Sequence, residues 1–284
     1  MRRLFLLFSI SIAALFCSYD LKAEAPKRQG WWKNIPLYGD VESVVMTPYE
    51  LEEKFGEVVR GGILDCRKHY FNDAGDEIEY AWYYSDGSLR EKEIYKYDSS
   101  GNMIEKAWYD SDGSLSGKSI YKYDSRENMI EDALYYSDGS LNEKIIYKYD
   151  SSGNRIEDAL YHSDGSLISK SIYKYDSSGN MIEKAWYDSD GSLDGKSVYK
   201  YDSSGNMIEY ARYKSDSSLH DKYIYKYDSS GNKIEKARYN SDGSLGEKFI
   251  YKYDSRGNAV EVTVYVGEAL IPISLIVFEI TYRN

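Results

Sequence analysis

The chain is predicted to be all-β: a repetitive meander of antiparallel β-hairpins coiled into a spiral or barrel-like array. Three observations predict this. A 26-residue unit recurs in one register, two turn signals cut each unit into two strands, and Tyr is abundant (32) while Pro is scarce (4). A fixed period of this size marks a repeat architecture, and Tyr suits a half-buried pleated surface.

Residues 1–23 read as a signal peptide. Arg2 and Arg3 precede the apolar run Leu4–Phe16, which has the length of a signal core and is too short for a spanning helix. Cleavage is expected after Ala23; Cys17 offers the alternative of a lipoprotein anchor, although Phe16 stands where such a signal wants a small residue. The mature chain is expected to be exported in either case, to the periplasm, the cell surface or beyond. It then retains a single cysteine, Cys66, so no disulfide framework is available within one chain.

Residues 24–68 are expected to form a tether and an N-terminal cap, with Trp31 and Trp32 as anchors. Val41–Thr47 reads as a strand by its Val content. Pro48–Val59 reads as a short helix or a long hairpin loop, Gly61-Gly62 as a turn, and Ile63–Phe71 as a second strand. The atypical composition fits a cap, because end repeats need a different outer face.

Residues 69–264 hold eight copies of the unit, the first eroded and the last degenerate. The clearest copy is Tyr95–Ile120, YKYDSSGNMIEKAWYDSDGSLSGKSI, and positions below are counted from its Tyr95. The first turn is Asp98–Asn102, with Asp opening a type I turn and Gly101 supplying a left-handed bulge residue. The second is Ser111-Asp112-Gly113-Ser114. Between them lie strands Ile104–Tyr109 and Lys118–Tyr123. A sheet of about sixteen such strands cannot stay flat, because strands twist. One unit cannot bury its own apolar face, so stability must run along the stack.

The favoured register places Ser119, Tyr121 and Tyr123 on one face with Ile130 and Leu134. The other face then carries Lys118, Ile120 and Lys122 opposite Glu131 and Ala133, separating an aromatic face from a charged one. Residues 265–284 are apolar and contain Pro272; they are expected to cap the open edge.

The phrase Tyr-Lys-Tyr-Asp-Ser-Ser-Gly-Asn-x-Ile-Glu resembles the YD-repeat (RHS-repeat) family, through Tyr97, Asp98, Gly101 and Ile104 and their equivalents from Tyr70 to Glu261. Glu127 replaces the Gly in one copy, and Ser217 replaces the second-turn Gly in another. The resemblance implies a β-hairpin array; large members form spiral shells that enclose a toxin. Trp82–Leu89 is, more weakly, similar to the aromatic hairpins of cell-wall- and choline-binding repeats.

Little in the sequence points to catalysis. His69, His162 and His220 fall at unlike positions of the unit, and no nucleophile–base arrangement is visible, so the protein is expected not to be an enzyme. Asp110-Ser-Asp112-Gly113-Ser114 imitates part of a calcium loop, but Tyr84, Tyr136, His162, Lys214 and Asn240 replace the first Asp elsewhere. Turn chemistry explains those Asp residues, and neither metal nor cofactor is expected.

The net charge of −11 argues against nucleic acid. No membrane span is expected in the mature chain. Position 14 differs between copies, reading Trp82, Trp108, Leu134, Leu160, Trp186, Arg212, Arg238 and Val264, and its tolerance of Arg reads as a wet or peripheral site. The candidate ligand-binding residues are therefore Trp82, Trp108, Trp186, Tyr109 and Tyr187. The function expected is non-enzymatic: an aromatic-rich β surface that binds a glycan or a protein partner at the cell envelope. A relative of a YD-repeat toxin shell or adhesin, or a purely structural envelope protein, are the alternatives.

Overall fold

The computed structural model describes residues 37–283. The expected signal peptide, Cys17, Trp31 and Trp32 lie outside the described residues. Nineteen strands follow one another. They begin with β1 (Val41–Lys54), β2 (Glu57–Ile63) and β3 (Asp65–Phe71). Next come β4 (Glu77–Tyr84), β5 (Leu89–Tyr97), β6 (Met103–Asp110), β7 (Leu115–Tyr123), β8 (Met129–Tyr136) and β9 (Leu141–Tyr149). They continue as β10 (Arg155–His162), β11 (Leu167–Tyr175), β12 (Met181–Asp188), β13 (Leu193–Tyr201) and β14 (Met207–Lys214). The last are β15 (Leu219–Tyr227), β16 (Lys233–Asn240), β17 (Leu245–Tyr253), β18 (Ala259–Val266) and β19 (Ile271–Tyr282).

Each strand from β3 onward pairs antiparallel with the next. β1 then joins the two ends, pairing along Ser43–Met46 with β3 and along Val41–Glu50 with β19. The result is a closed barrel of eighteen strands. β2 stands outside the ring and pairs with the Tyr49–Lys54 half of β1. At about 4.8 Å per strand the circle is about 30 Å across, and barrels of this strand number leave a lumen.

Both turns of the unit have one geometry. Gly101 N donates to Asp98 O at 3.1 Å and Gly113 N to Asp110 O at 2.9 Å, with φ of 84° and 83° at the two glycines. Asp98 Oδ1 also accepts from the backbone of Ser100 (2.8 Å) and Asn102 (2.9 Å). These bonds hold its carboxyl below the usual Asp range. Asp112 Oδ1 likewise accepts from Ser114 N and Oγ at 2.9 and 2.6 Å. The Asp–Gly pairs are thus engaged in turn closure. Glu127 (φ 62°) and Ser217 (φ 66°) hold the same left-handed conformation without glycine.

All the first turns lie at one mouth of the barrel, with the start of β1 and the end of β19. The second turns lie at the other mouth.

Several expectations are corrected. Pro48–Val59 is neither helix nor loop: β1 continues to Lys54, turns at Phe55-Gly56, and returns. Pairing with β2 overrides the weak strand propensity of Leu51–Lys54. Gly61-Gly62 is strand, not turn. The terminal segments do not cap free edges; they zip together, and Pro272 sits opposite Tyr265 at the end of the β18–β19 ladder. Ile130 does not share the tyrosine face. A bulge between Lys122 and Tyr123 sets Met129 opposite Tyr123 and leaves Ile130 exposed. The rest of the favoured register holds: Lys122 opposes Glu131, Ile120 opposes Ala133, and Ser119 opposes Leu134.

Candidate functional site

The two faces of the wall differ in kind. One carries Lys96, Glu105, Ala107, Tyr109, Lys92 and Ile94 in cross-strand rows. Lys96 pairs with Glu105 at 2.6 Å and its side chain is 62% exposed, so this convex face meets water. The other carries Tyr95, Lys106, Glu93, Trp108, Glu91 and Asp110. Its tyrosines at position 1 are buried in Tyr173, Tyr199, Tyr225 and Tyr251, as are Ser119, Ser171 and Ser197 at position 25. This is the concave face that lines the lumen. It is not apolar: acids and cations stand among the aromatics, which corrects the expected separation of an aromatic face from a charged one. Many of the polar residues there find a partner on a neighbouring strand, as Lys106 does in Glu93 and Arg212 in Asp221.

The candidate residues therefore divide. Trp82, Trp108 and Trp186 face the lumen, and Tyr109 and Tyr187 face outward. Period-2 alternation makes this unavoidable for adjacent residues on one strand.

The variable position 14 becomes intelligible through its opposite number, position 23. Trp108 faces Gly117 and Trp186 faces Gly195. Arg212 faces Asp221 and Arg238 faces Glu247. A large ring takes a residue without a side chain, and a cation takes a carboxylate. Arg212 Nε donates to Asp221 Oδ1 at 2.6 Å, and a second guanidinium nitrogen bonds Oδ2. Arg238 Nε donates to Glu247 Oε2 at 3.2 Å. Glycine also has a backbone reason: a Cβ at Gly117 would stand 2.9 Å from Tyr135 O. Trp82 departs from the rule, facing Glu91, and Arg90 stacks on its ring at 3.8 Å instead. Sequence reasoning missed this coupling, although the paired changes were visible between copies. Position 14 reads as wet because it borders the lumen, not because it lies on the outer surface.

Three clusters organise the wall. In the first, Glu93 accepts from Trp108 Nε1 (3.0 Å) and pairs with Lys106 (2.9 Å), and the Tyr95 hydroxyl also donates to it. Burial, then the Glu77 and Glu93 carboxylates, push the Tyr95 phenol well above its ordinary value. In the second, Tyr199, Tyr210 and Tyr223 stack with ring centroids 5.2 and 5.6 Å apart, and Ser197 Oγ donates to Tyr210 Oη at 3.1 Å. Beyond them Lys236 lies 4.8 Å from the Tyr223 ring and Lys233 lies 5.2 Å from the Tyr225 ring. Burial and the charge of Lys236 lower Lys233 to about 8. The third is the apolar seam, where Val44, Met46, Tyr251, Val262 and Phe278 pack with Leu37.

Outward positions repeat almost unchanged, with Lys at positions 2 and 24, Glu at 11, Ala at 13 and Tyr at 15. Inward positions 9, 12, 14, 16, 23 and 25 change from copy to copy. Position 12, for example, reads Tyr80, Lys106, Asp132, Asp158, Lys184, Tyr210, Lys236 and Val262. Among the paired strand positions, the differences between copies lie on the lumen wall, around a constant frame of Tyr at positions 1 and 3.

A family model described as an uncharacterised protein matches residues 120–226. No curated protein matches the sequence. Among solved structures, a porin-like protein from Bacteroides uniformis is similar at 10% identity and TM-score 0.45, over 85% of this chain and 98% of that one. The Photorhabdus luminescens Tc holotoxin pore is similar at 12% identity and TM-score 0.34, over 80% of this chain and 15% of that one. A DUF1329 family protein from Desulfovibrio piger is similar at 8% identity and TM-score 0.22, over 85% and 86% of the two chains.

Proposed function

We propose that this is a non-enzymatic, exported binding protein whose ligand is taken into the barrel lumen, at the cell envelope. One observation carries the reading: between copies, the paired outward positions stay nearly constant, while on the inward face positions 9, 12, 14, 16, 23 and 25 change around a constant frame of Tyr at positions 1 and 3. Selection for packing alone would act most evenly on the more buried face, and here that face is the varied one. Its Tyr and Trp rings, interleaved with Lys, Arg and carboxylates, suit a glycan or a polar segment of a partner protein. The YD-repeat kinship rests on Tyr97, Asp98, Gly101 and their equivalents, and supplies the hairpin scaffold.

The barrel is read as bathed in water. Among the described residues no helix is long and apolar enough to cross a membrane, which says nothing of strands. The strands speak through their outer face. A lipid-facing barrel needs an apolar band about 25 Å tall, and a lysine at its midplane costs about 2–4 kcal/mol. Here each of seven strands, the odd-numbered ones from β5 to β17, sets two lysines outward, such as Lys92 and Lys96 on β5.

The test is a glycan array and an envelope pull-down with the mature chain, each repeated with Trp186→Ala (inner) and Tyr187→Ala (outer). Binding lost in the inner variant and kept in the outer one supports the lumen. The reverse pattern puts the ligand on the outer face, and no binding to either leaves a structural role.

A further inference from the structure

β3 takes its place beside β4 with Asp65 opposite Tyr84, the last residue of β4. β2 precedes it in the chain. The ribbon made by β2 and the end of β1 therefore stands out past the second-turn mouth, by about 20 Å. Among the described residues β2 has a ladder with β1 alone, and its other edge meets water.

The ribbon carries features that its own fold does not explain. Phe55 stands at the tip with a left-handed φ of 54° and is fully exposed. A bulky residue is strained in that conformation, where Asn or Gly would be at ease. Gly62 has the opposite character. A Cβ there would meet nothing within 4 Å, and its φ is not left-handed. Neither packing nor backbone conformation within the chain calls for glycine, and glycine in a strand marks a place where another backbone comes close. Val58, Ile63 and Leu64 add exposed apolar side chains along the ribbon.

The open edge dictates how a second β2 can pair with it. Phe55-Gly56 form a two-residue turn with Lys54 opposite Glu57. The backbone groups of Glu57 and Val59 thus turn to β1, and those of Val58 and Arg60 to the open edge. Further on, the N–H of Leu64 is donated to Pro48 O at 2.9 Å. An antiparallel pairing with Arg60 opposite Arg60 sets like charges together. One with Gly61 opposite Gly61 brings Val58 to Leu64, whose N–H is already engaged. With Val59 opposite Val59, Val58 meets Arg60 on both sides of the axis, each such pair exchanging both backbone bonds. No like charges then stand opposite. Phe55 comes level with Ile63 of the second copy, and Gly56 with Gly62, where the missing side chain leaves room for the turn. Glu50, Glu52, Glu53 and Glu57 around the tip argue against an anionic membrane as the cover for Phe55.

We propose that β2 is the docking edge for a second copy of this chain, added antiparallel about Val59, so that two barrels meet with their second-turn mouths facing. This pairing does not depend on what the lumen binds.

The experiment uses the mature chain in a Cys66→Ser background. Val59→Cys places a thiol opposite itself in a non-hydrogen-bonded pair, within disulfide reach. Mild oxidation is expected to cross-link two copies through Val59→Cys, and at least tenfold less through Val58→Cys, which faces Arg60. Sedimentation velocity of the unsubstituted mature chain over a range of concentrations should show a dimer. Arg60→Pro removes an open-edge N–H and leaves the β1 ladder whole; Phe55→Gly removes the tip ring and relieves its backbone. Each should raise the dimer's dissociation constant at least tenfold, with circular dichroism checking that the barrel is intact. If the Arg60→Pro chain unfolds, Phe55→Gly and the site of cross-linking decide alone. A chain that is monomeric at every concentration and gives no Val59→Cys cross-link overturns the proposal. A dimer unchanged by Phe55→Gly and Arg60→Pro also overturns it, because the interface then lies elsewhere. Phe55-dependent binding to phosphatidylglycerol vesicles by a chain that stays monomeric overturns it in favour of a membrane.

Discussion

The hydroxyl of Tyr175 donates to the carbonyl oxygen of Arg155, 2.7 Å away and twenty residues earlier. The same bond recurs from Tyr97 to Glu77, Tyr123 to Met103, Tyr149 to Met129, Tyr201 to Met181, Tyr227 to Met207 and Tyr253 to Lys233. Its origin is the ladder. β10 and β11 pair only from Glu157 opposite Ile172, so the Arg155 carbonyl faces β11 beyond the last ladder rung. A backbone acceptor left there must find another donor. The tyrosine at position 3 supplies it once per unit.

Tyr175→Phe should therefore cost about 1 kcal/mol, the usual value of one such bond, and lower the midpoint of thermal unfolding by about 2–4 °C. Phenylalanine at Lys174's exposed position would serve as the control for added ring surface. If Tyr175→Phe unfolds at the wild-type temperature, the bond contributes nothing.

Glu127→Gly and Ser217→Gly should each stabilise the barrel, by up to about 1 kcal/mol. Both residues hold left-handed φ values of 62° and 66° where sister copies use glycine, and an L-residue there is strained by about 1–2 kcal/mol, partly offset by glycine's greater entropy when unfolded. Gly101→Ala should destabilise by a similar amount. Chemical denaturation with unchanged m-values would check all three.

Asp221 is almost fully buried while Arg212 is partly exposed. Burial pushes the Asp221 carboxyl up, but the hydrogen bonds and charge of Arg212 outweigh it and hold it below its ordinary value. A carboxyl depressed in the folded state stabilises above its unfolded pKa, about 4, and that contribution is lost as pH falls through the lower folded value. Asp221→Asn should cost about 2 kcal/mol at pH 7, discounted for the exposure of Arg212. The gap between variant and wild type should narrow steadily below about pH 4. A gap that stays constant down to pH 2 would contradict the pairing.

Lys233 carries the opposite sign. Its folded pKa is about 8, against about 10.4 when unfolded. Between those values the unfolded chain holds a proton that the folded chain does not, so stability rises with pH across the window. The penalty is fully present below about pH 8. Lys233→Met should stabilise the protein at pH 7 and flatten its stability profile between about pH 8 and 9.5, below the range where tyrosines ionise. Unfolding curves of both proteins across that range would show it.

Deletion of Tyr173–Val198 removes one unit, β11's end through most of β13, without disturbing the register of its neighbours. A folded barrel of two fewer strands is the expected product, read by circular dichroism and a compact sedimentation profile. Loss of all cooperative unfolding would mean that closure tolerates only one circumference.

The fold was legible where local chemistry decides it. Asp98–Gly101 and Asp112–Gly113 announce their turns, and Lys122–Glu131 marks the register. What escaped is set by partners distant in sequence. Leu51–Lys54 becomes strand because β2 pairs with it, and Val41–Glu50 and the last strand find each other across the whole chain. The bulge that exposes Ile130 is a two-against-one count that alternation alone does not reveal. The candidate site was half legible: the tryptophans were singled out, but assigning Tyr109 and Tyr187 to the same surface ignored that neighbours on a strand point apart.

The seam between β1 and β19 has a consequence for the order of events during synthesis. Val41–Glu50 is made before every hairpin of the ring, and its partner Ser274–Tyr282 after all of them. Every hairpin between them can form as it emerges, but the circle cannot shut until β19 arrives. Joining ends more than two hundred residues apart costs only about 2 kcal/mol more chain entropy than closing one 26-residue unit. The delay is therefore kinetic: a nascent curved sheet waits with two unpaired edges, and in that interval a chaperone, or a second nascent chain, competes for the place of the last strand.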